Sequence, residues 1–197
     1  MARDSSATRA RILDAAIDEF TAYGLAGARI DRIAENAGAN KRSIYVYFES
    51  KELLFNAAMH RVITELSAAV PLTEDDLPGY AGRMFDYTLA HPQAVRMSMW
   101  RKLERPAAGP NESDTYARKI RAMTSGSSSA TSGLPPTDLI VLIYGLAASW
   151  MNSPDDLLVA DGSDVTSAER LAVHRAALVE AARRICEPAA APATEKD

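Results

Sequence analysis

The sequence is poor in several features that would point to particular classes of protein. Its 197 residues include a single cysteine, Cys186, so an internal disulfide and a zinc site built from several cysteines are both excluded. No apolar run approaches the roughly 18 residues that a membrane-spanning helix needs, and the N-terminus lacks the apolar stretch of a secretory signal. We therefore expect a cytoplasmic protein that does not associate with a membrane.

Catalytic chemistry has little support in the sequence. The three histidines, His60, His91 and His174, are too scattered to suggest a metal site. Paired acids such as Asp155-Asp156 fall in loops or at predicted helix starts, where capping and solvation explain them. No glycine-rich phosphate loop follows a strand. We expect no enzyme activity, no bound metal and no cofactor.

Charge is distributed unevenly along the chain. The net charge is -4, with 22 Lys and Arg against 26 Asp and Glu. Residues 1–51 carry a small basic excess, so the acidic excess lies in the remainder of the chain. Because an acidic body repels DNA, any DNA contact has to be confined to the N-terminal part.

Apolar residues recur with a helical period almost throughout, and no alternating strand pattern appears, which predicts an all-α protein. The first helix is predicted from Ser6 to Tyr23, with Gly24 as a left-handed residue after it. Further helices are predicted at about 29–37, 41–47, from Ser50 towards Pro71, and at 75–90, 92–104, 113–125, 136–152 and 166–186. Loops are predicted at 105–111, 124–136 and 153–165, and a disordered tail at 188–197.

The segment from Ile30 to Tyr45 has the spacing of a helix-turn-helix. Ala34 supplies the small side chain that the crossing of two short helices requires. Gly38 supplies a positive φ in the turn without strain, and Ile44 pins the second helix to the first. These three positions alone are also compatible with an ordinary helical hairpin whose glycine only ends a helix.

The second helix of this motif presents groups that suit DNA. Its candidate DNA-binding residues are Asn40, Lys41, Arg42, Ser43, Tyr45 and Tyr47. A helix N-terminus attracts phosphate, lysine and arginine bond phosphate or guanine, and asparagine pairs with adenine. The alternatives are a solvated surface pair for Lys41 and Arg42, and partial core packing for the two tyrosines.

The run from Arg9 to Leu54 resembles the N-terminal domain of the tetracycline-repressor (TetR) family of bacterial regulators. The matching pieces are Arg11-Ile12-Leu13-Asp14-Ala15-Ala16, Phe20-Thr21-Ala22-Tyr23-Gly24, Ile33-Ala34-Glu35-Asn36-Ala37-Gly38 and Ile44-Tyr45-Val46-Tyr47-Phe48-Glu49-Ser50-Lys51-Glu52-Leu53-Leu54. The resemblance implies a three-helix DNA-binding head whose third helix lies in the major groove. It also implies that Tyr45 and Lys51 touch backbone phosphate.

One position departs from the family pattern. Many members have a threonine that caps the first helix of the motif and bonds a phosphate, whereas this chain has Ala28. The neighbouring Arg29 is therefore the candidate for that phosphate contact.

With this head, we expect a DNA-binding domain at 1–49 and a helical regulatory and dimerisation domain at 50–187.

The resemblance also implies a homodimer formed by the last two long helices, here about 136–152 and 166–186. The candidate interface residues are Leu142, Gly145, Ser149, Leu171 and Leu178. The first of these helices is apolar on most sides, which favours burial both within the subunit and against a partner. A central core helix of a monomer is the alternative.

Methionine and aromatic residues accumulate in the larger part of the chain, which suits an adaptable apolar pocket. The candidate ligand-binding residues are Met84, Tyr87, Met97, Trp100, Tyr116, Tyr144 and Trp150. The same residues equally suit a filled core. Few charges accompany them, so we expect an apolar or amphipathic small molecule.

Together these features predict a ligand-responsive transcriptional regulator. The simplest form is a repressor that is released from a palindromic operator on double-stranded DNA by its small-molecule effector. One alternative is a DNA-binding regulator without a ligand. Another is an all-α carrier or enzyme that only shares the architecture of the head.

Overall fold

A computed structural model describes residues 2–104, 110–125 and 133–187, and all of the regular structure in these ranges is helical. The helices are α1 (Ala2–Gly27), α2 (Ile30–Asn36), α3 (Lys41–Phe48), α4 (Lys51–Ala69), α5 (Leu77–Ala90), α6 (Pro92–Glu104), α7 (Pro110–Ser125), α8 (Pro136–Asn152), α9 (Asp155–Leu158) and α10 (Ala168–Cys186). The predicted all-α fold is confirmed. The predicted tail at 188–197 lies outside the described residues.

One of the three predicted loops contains a short helix. The segment 153–165 contains α9, a single turn that starts after Pro154 and has Asp155 and Asp156 in its first turn. Acidic side chains in the first turn of a helix interact favourably with the positive end of the helix dipole. The segments 105–111 and 124–136 lie partly outside the described residues.

Within the described ranges, no helix is both long and apolar enough to cross a membrane.

The chain divides into two compact units. The first comprises Met1–Ala69 and His91–Asp114, and the second comprises Val70–Ala90 and Thr115–Asp197. The first unit therefore contains α4 and α6 as well as the helices of the predicted helix-turn-helix. The predicted boundary after residue 49 separates the DNA-binding domain from the regulatory domain by function, and it stays a prediction.

The core of the first unit is built on one face of α1. Ile12, Ala16 and Phe20 recur at helical spacing and are fully buried. The Phe20 ring meets the edge of Phe55 from α4, with 5.0 Å between the ring centroids. Met97 of α6 is also fully buried in this cluster. Met97 is also one of the candidate ligand-binding residues; it packs in the first-unit core, and its contact with a ligand stays a prediction.

Helix α1 is broken at Gly24, where α6 packs against it. Gly24 has φ 68 and ψ -176, and a Cβ there would lie 2.7 Å from Cε3 of Trp100. The Trp100 indole N–H donates to the Thr21 carbonyl at 3.2 Å. The Glu104 carboxylate accepts the backbone N–H groups of Leu25 and Ala26. Trp100 thus packs within the first unit, and its contact with a ligand stays a prediction.

The second unit is formed mainly by α5, α8 and α10. Its buried side chains include Tyr80 and Phe85 of α5, Leu139 and Ile143 of α8, and Leu178 and Ala182 of α10. Helix α10 approaches α5 closely at Gly82, where a Cβ would lie 3.0 Å from Val179. Leu178 is only 3% exposed within the protomer, so it packs in the core of the second unit, and its predicted place at a dimer interface stays a prediction.

A buried carboxylate ties α1 to the start of α2. Glu19 is 4% exposed and accepts the backbone N–H of Arg29 at 2.8 Å and the guanidinium of Arg32 at 2.5 to 3.0 Å. Arg29 is the N-cap of α2, and its own side chain makes no capping bond. Burial alone raises the pKa of Glu19, but these bonds and the Arg32 charge hold it below its ordinary value.

We expect Glu19→Gln to lower the free energy of unfolding at pH 7 by about 1.5–3 kcal/mol, because hydrogen bonds to charged groups are lost. The contribution of a carboxylate with a lowered folded-state pKa is complete above its ordinary value of 4.5. It is lost as the pH falls through the folded-state value. Thermal unfolding of both proteins from pH 7 downward should therefore show a difference that narrows in acid. Glu35→Gln, at an exposed position on α2, is the control, and equal effects of both variants would contradict this role.

Candidate nucleic-acid interface

The turn between α2 and α3 closes with a Schellman motif at Gly38. Gly38 has φ 57, its N–H donates to the Glu35 carbonyl at 3.1 Å, and the Ala39 N–H donates to the Ala34 carbonyl at 2.9 Å. Apart from the residues next to it in the chain, no described residue has an atom within 4 Å of a Cβ built on Gly38. The glycine is therefore required by the backbone conformation and not by lack of space, as the sequence predicted.

The two helices of the motif cross at small and aliphatic side chains. Ala34 is 6% exposed and Ile44 is 1% exposed, and both belong to the core of the first unit. Arg11 of α1 donates from Nε to the Ala37 carbonyl at 3.1 Å, which holds the end of α2 against α1. Arg11 was not predicted as part of this site, since its partner is a backbone carbonyl distant in sequence.

Asn40 caps α3. Its side-chain oxygen accepts the backbone N–H of Ser43 at 2.8 Å and the Ser43 hydroxyl at 3.0 Å. The side-chain oxygen that would accept a hydrogen bond from a base is thus already engaged within the helix. Asn40 and Ser43 accordingly have a structural role beside their predicted role in DNA binding.

The exposed face of α3 consists of Lys41, Arg42, Tyr45 and Val46. Lys41 and Tyr45 are one turn apart, as are Arg42 and Val46, so the four side chains form one continuous surface. Val46 is 70% exposed and was not predicted, although an aliphatic side chain on such a face suits a thymine methyl group. An exposed valine is hard to distinguish from a core residue by sequence alone.

One cation on this surface already has a partner. The Lys41 ammonium forms an ion pair with Asp31 of α2, and both side chains are more than half exposed. An exposed pair of this kind contributes little to stability, so DNA phosphate can replace the carboxylate at small cost. Lys41 is therefore held near the start of α3 without being withdrawn from solvent.

The remaining predicted DNA contacts lie around this face. Tyr47 is half-buried, with its ring 6.4 Å from that of Phe48 and against the first-unit core, so it is partly structural. Arg29 is exposed beside the start of α2. Lys51 donates from Nζ to the Ala28 carbonyl at 3.2 Å and lies in the first turn of α4.

The connection from α3 to α4 is short and unusual. Glu49 has φ 63 and ψ -45, and the Ser50 N–H donates across it to the Phe48 carbonyl at 2.6 Å. A positive φ at a non-glycine residue costs energy that the surrounding structure has to supply. The Ser50 hydroxyl then accepts the Leu53 N–H at 3.1 Å and caps α4, as its position in the sequence predicted.

Comparison with known proteins agrees with this geometry. A family model described as bacterial regulatory proteins of the tetR family matches residues 12–58. A second, described as a tetracyclin repressor-like C-terminal domain, matches residues 76–184, which is more than half of the chain. The chain belongs to the TetR family.

Individual relatives of this TetR-family chain are similar over most of their length. The HTH-type transcriptional repressor SCO4008 of Streptomyces coelicolor is 38% identical over 184 residues, covering 89% of this chain and 96% of that protein. The HTH-type transcriptional regulator RutR of Escherichia coli K12 is 28% identical over 165 residues, covering 78% and 76%. The crystal structure of a transcriptional regulator from S. coelicolor, SCO4942, has a TM-score of 0.76 and 35% identity, covering 90% and 97%.

Membership of the TetR family makes the chain a DNA-binding transcriptional regulator and not an enzyme. The crossing at Ala34 and Ile44, the turn at Gly38 and the exposed face of α3 are the parts of this chain that match that role. The family-level function is therefore established, whereas the DNA contacts of individual residues stay predictions.

In the second unit of this TetR-family chain, the predicted residues fall into separate groups. Trp150 is buried against the His174 ring, 4.7 Å between centroids, and Tyr144 lies beside Tyr80 and Lys119. Met84 is buried, Tyr87 is half-buried and Tyr116 is exposed. Lys119 was not predicted, because a lysine in a polar helix has the appearance of a solvated residue.

The interface candidates on α8 and α10 also differ in exposure. Leu142 is 44% exposed and Gly145 is exposed, whereas Leu171 is half-buried. The Ser149 hydroxyl donates to the Leu146 carbonyl at 2.7 Å and lies 3.2 Å from His174 Nε2. Burial and the nearby Arg170 charge lower the pKa of His174, which favours the neutral form of its ring.

The turn at Gly38 gives a direct test of the helix-turn-helix geometry. Gly38→Ala should lower stability by about 1–2 kcal/mol, since an alanine in the left-handed region is strained even where its Cβ has room. Gly38→Asn should cost less, because asparagine tolerates this conformation. Gly38→Val should cripple DNA binding by misplacing α3. Chemical denaturation and DNA titration would measure both effects, and equal stability of the three variants would argue against a conformational role.

Proposed function

We propose that the chain is a homodimeric transcriptional repressor that occupies a palindromic operator and is released from it by a small-molecule effector. The observation that carries the DNA-binding part is the exposed face of α3, where Lys41, Arg42, Tyr45 and Val46 stand together on a helix held by buried contacts. Because the chromosomal DNA of bacteria lies in the cytoplasm, we propose that this regulator acts there.

The proposed contacts divide into two kinds. Arg42 and Lys41 are assigned to base edges or nearby phosphates, and Val46 to a thymine methyl group. Tyr45, Lys51 and Arg29 are assigned to the phosphate backbone. Phosphate contacts set affinity and register, whereas contacts to base edges set sequence preference.

The proposal of repression follows the similarity to SCO4008, which is named as a transcriptional repressor. Occupation of DNA near a promoter blocks transcription without any further activity of the protein. Release by an effector requires that the effector bind one conformation more tightly than the other, since equal affinity shifts no equilibrium.

The proposed homodimer is supported by apolar exposure in the second unit. Val141 and Leu142 of α8 are 59% and 44% exposed, and beyond its own helix no described residue lies within 4 Å of a Cβ built on Gly145, one turn later. Val173 of α10 is 59% exposed. Exposed apolar side chains grouped on long helices favour association with a second copy, and two-fold association is the most common form.

Charge-removing variants of the head separate the two kinds of DNA contact. Lys51→Ala should weaken binding to all sequences and lower the slope of log affinity against log salt by about 1, since one counterion release is lost. Lys41→Ala and Arg42→Ala should each cost about 1–3 kcal/mol on the preferred operator, with altered preference at one base pair where the contact is to a base.

The measurement uses fluorescence anisotropy on a random-sequence duplex and on an operator selected by the parent protein from a duplex library. Lys102→Ala, which removes an exposed lysine of α6, is the matched control. Because Lys51 also bonds the Ala28 carbonyl, thermal unfolding of each variant has to accompany the titrations. Parent-like binding by all three variants would show that this surface does not contact DNA.

The dimer proposal has its own test. Leu142→Arg should convert the dimer into a monomer at micromolar concentration, because a charged side chain would be buried without a partner at the interface. Leu103→Arg is the matched control, since Leu103 is 76% exposed on α6. Sedimentation velocity of both variants distinguishes the outcomes. A dimer that survives Leu142→Arg places the interface elsewhere.

A further inference from the structure

A lysine of the second unit is bonded to two tyrosines from different helices. The Lys119 ammonium of α7 donates to the Tyr144 hydroxyl at 3.0 Å and to the Tyr80 hydroxyl at 3.3 Å. The two hydroxyls are 3.4 Å apart. The ammonium also lies 5.5 Å from the Tyr144 ring centroid and 6.0 Å from that of Tyr80. We call these three residues the Lys119 cluster.

Among the side chains that the structure describes, none balances the charge of the Lys119 ammonium. Tyr80 is fully buried, and Tyr144 and Lys119 are half-buried. Among the described residues, no carboxylate pairs with the ammonium; the nearby Arg83 is itself paired with Asp76 at 3.0 Å. Burial of a cation without an anionic partner costs free energy, and a nearby opposite charge offsets that cost.

The Lys119 cluster also has more donors than acceptors. An ammonium carries three N–H donors and each phenol carries one O–H donor, while only the two phenol oxygens accept. Three donor hydrogens are used by the bonds within the cluster. One ammonium N–H and one phenol O–H therefore have no acceptor among the described residues. Burial raises the pKa of both tyrosines, so their hydroxyls keep their protons and can donate.

Apolar residues lie one turn away from the cluster on each of its helices. These are Met84 on α5, Met123 on α7 and Ile140 on α8, and all three are buried. A ligand that takes the free donors would therefore have a polar end at the Lys119 cluster and an apolar body. Its polar end needs a negative charge and at least two acceptor positions, which a carboxylate provides.

We propose that the Lys119 cluster is an anion-binding site that receives the carboxylate of a small amphipathic organic acid, with Lys119 and Tyr144 as its direct donors. The site rests on the proposed function insofar as this acid acts as the effector of the repressor. The sequence predicts an apolar or amphipathic ligand, and the proposed site narrows this class to amphipathic anions.

The test compares carboxylates with neutral analogues of the same shape. Benzoate, 1-naphthoate and octanoate, each paired with its primary amide, are titrated by calorimetry into the full-length protein without DNA. At least one carboxylate should bind more than tenfold more tightly than its amide. Lys119→Met should remove this preference, and Tyr144→Phe should weaken carboxylate binding more than amide binding, because hydrogen bonds to a charged acceptor are stronger. If no carboxylate is preferred by the parent, or if Lys119→Met keeps the preference, the proposal is wrong.

Two controls keep the result specific. Arg118→Met removes an exposed cation from the adjacent position of α7 and should leave the preference unchanged. Thermal unfolding of each variant checks the fold, and Tyr144→Phe carries the test if Lys119→Met is unfolded. A loss of preference in Arg118→Met equal to that in Lys119→Met would indicate general electrostatic attraction and would overturn the site.

A second measurement separates this inference from the proposed function. The preferred carboxylate is added to the complex of the protein with its selected operator, and DNA release is followed by anisotropy. Carboxylate binding without release would support the site and contradict its role as the effector site. Operator binding by a protein that shows no carboxylate preference would support the repressor and reject the site.

Discussion

The Glu19 carboxylate is the interaction on which the DNA-binding part of the molecule depends. It is buried on α1, yet its acceptors are used by the backbone of Arg29 and by the side chain of Arg32. It thereby replaces the side-chain cap that α2 lacks. The position of α2 sets the turn at Gly38, and that turn sets where α3 begins. A buried charge is tolerated here because each of its oxygens has a partner.

Much of the head could be predicted because its determinants are local. Gly38, Ala34 and Ile44 act through spacing along one segment, and Ser50 caps a helix that starts at the next residue. Partners that are distant in sequence could not be predicted in the same way. Glu19 stands on the apolar face of α1, and only the folded chain shows that its partner is the start of α2.

The second unit was less predictable for a related reason. Aromatic residues and methionine fill cores and line binding sites alike, so the sequence does not distinguish these two roles for Met97 and Trp100, which both pack in the first unit. Lys119 could not be predicted as a site residue, because its position in a polar helix predicts a solvated cation. Its meeting with Tyr80 and Tyr144 depends on three helices separated along the chain, and no local pattern encodes that meeting.

The two tryptophans of the chain lie in different surroundings, one in each compact unit. The Trp100 indole rests on the break at Gly24, whereas Trp150 contacts the His174 ring and the Arg170 guanidinium. Indole emission depends on its contacts, and a neighbouring imidazole quenches it more strongly when protonated. The protein therefore carries an intrinsic optical probe in each unit, and replacing either tryptophan with phenylalanine would leave the other to report on its own unit alone.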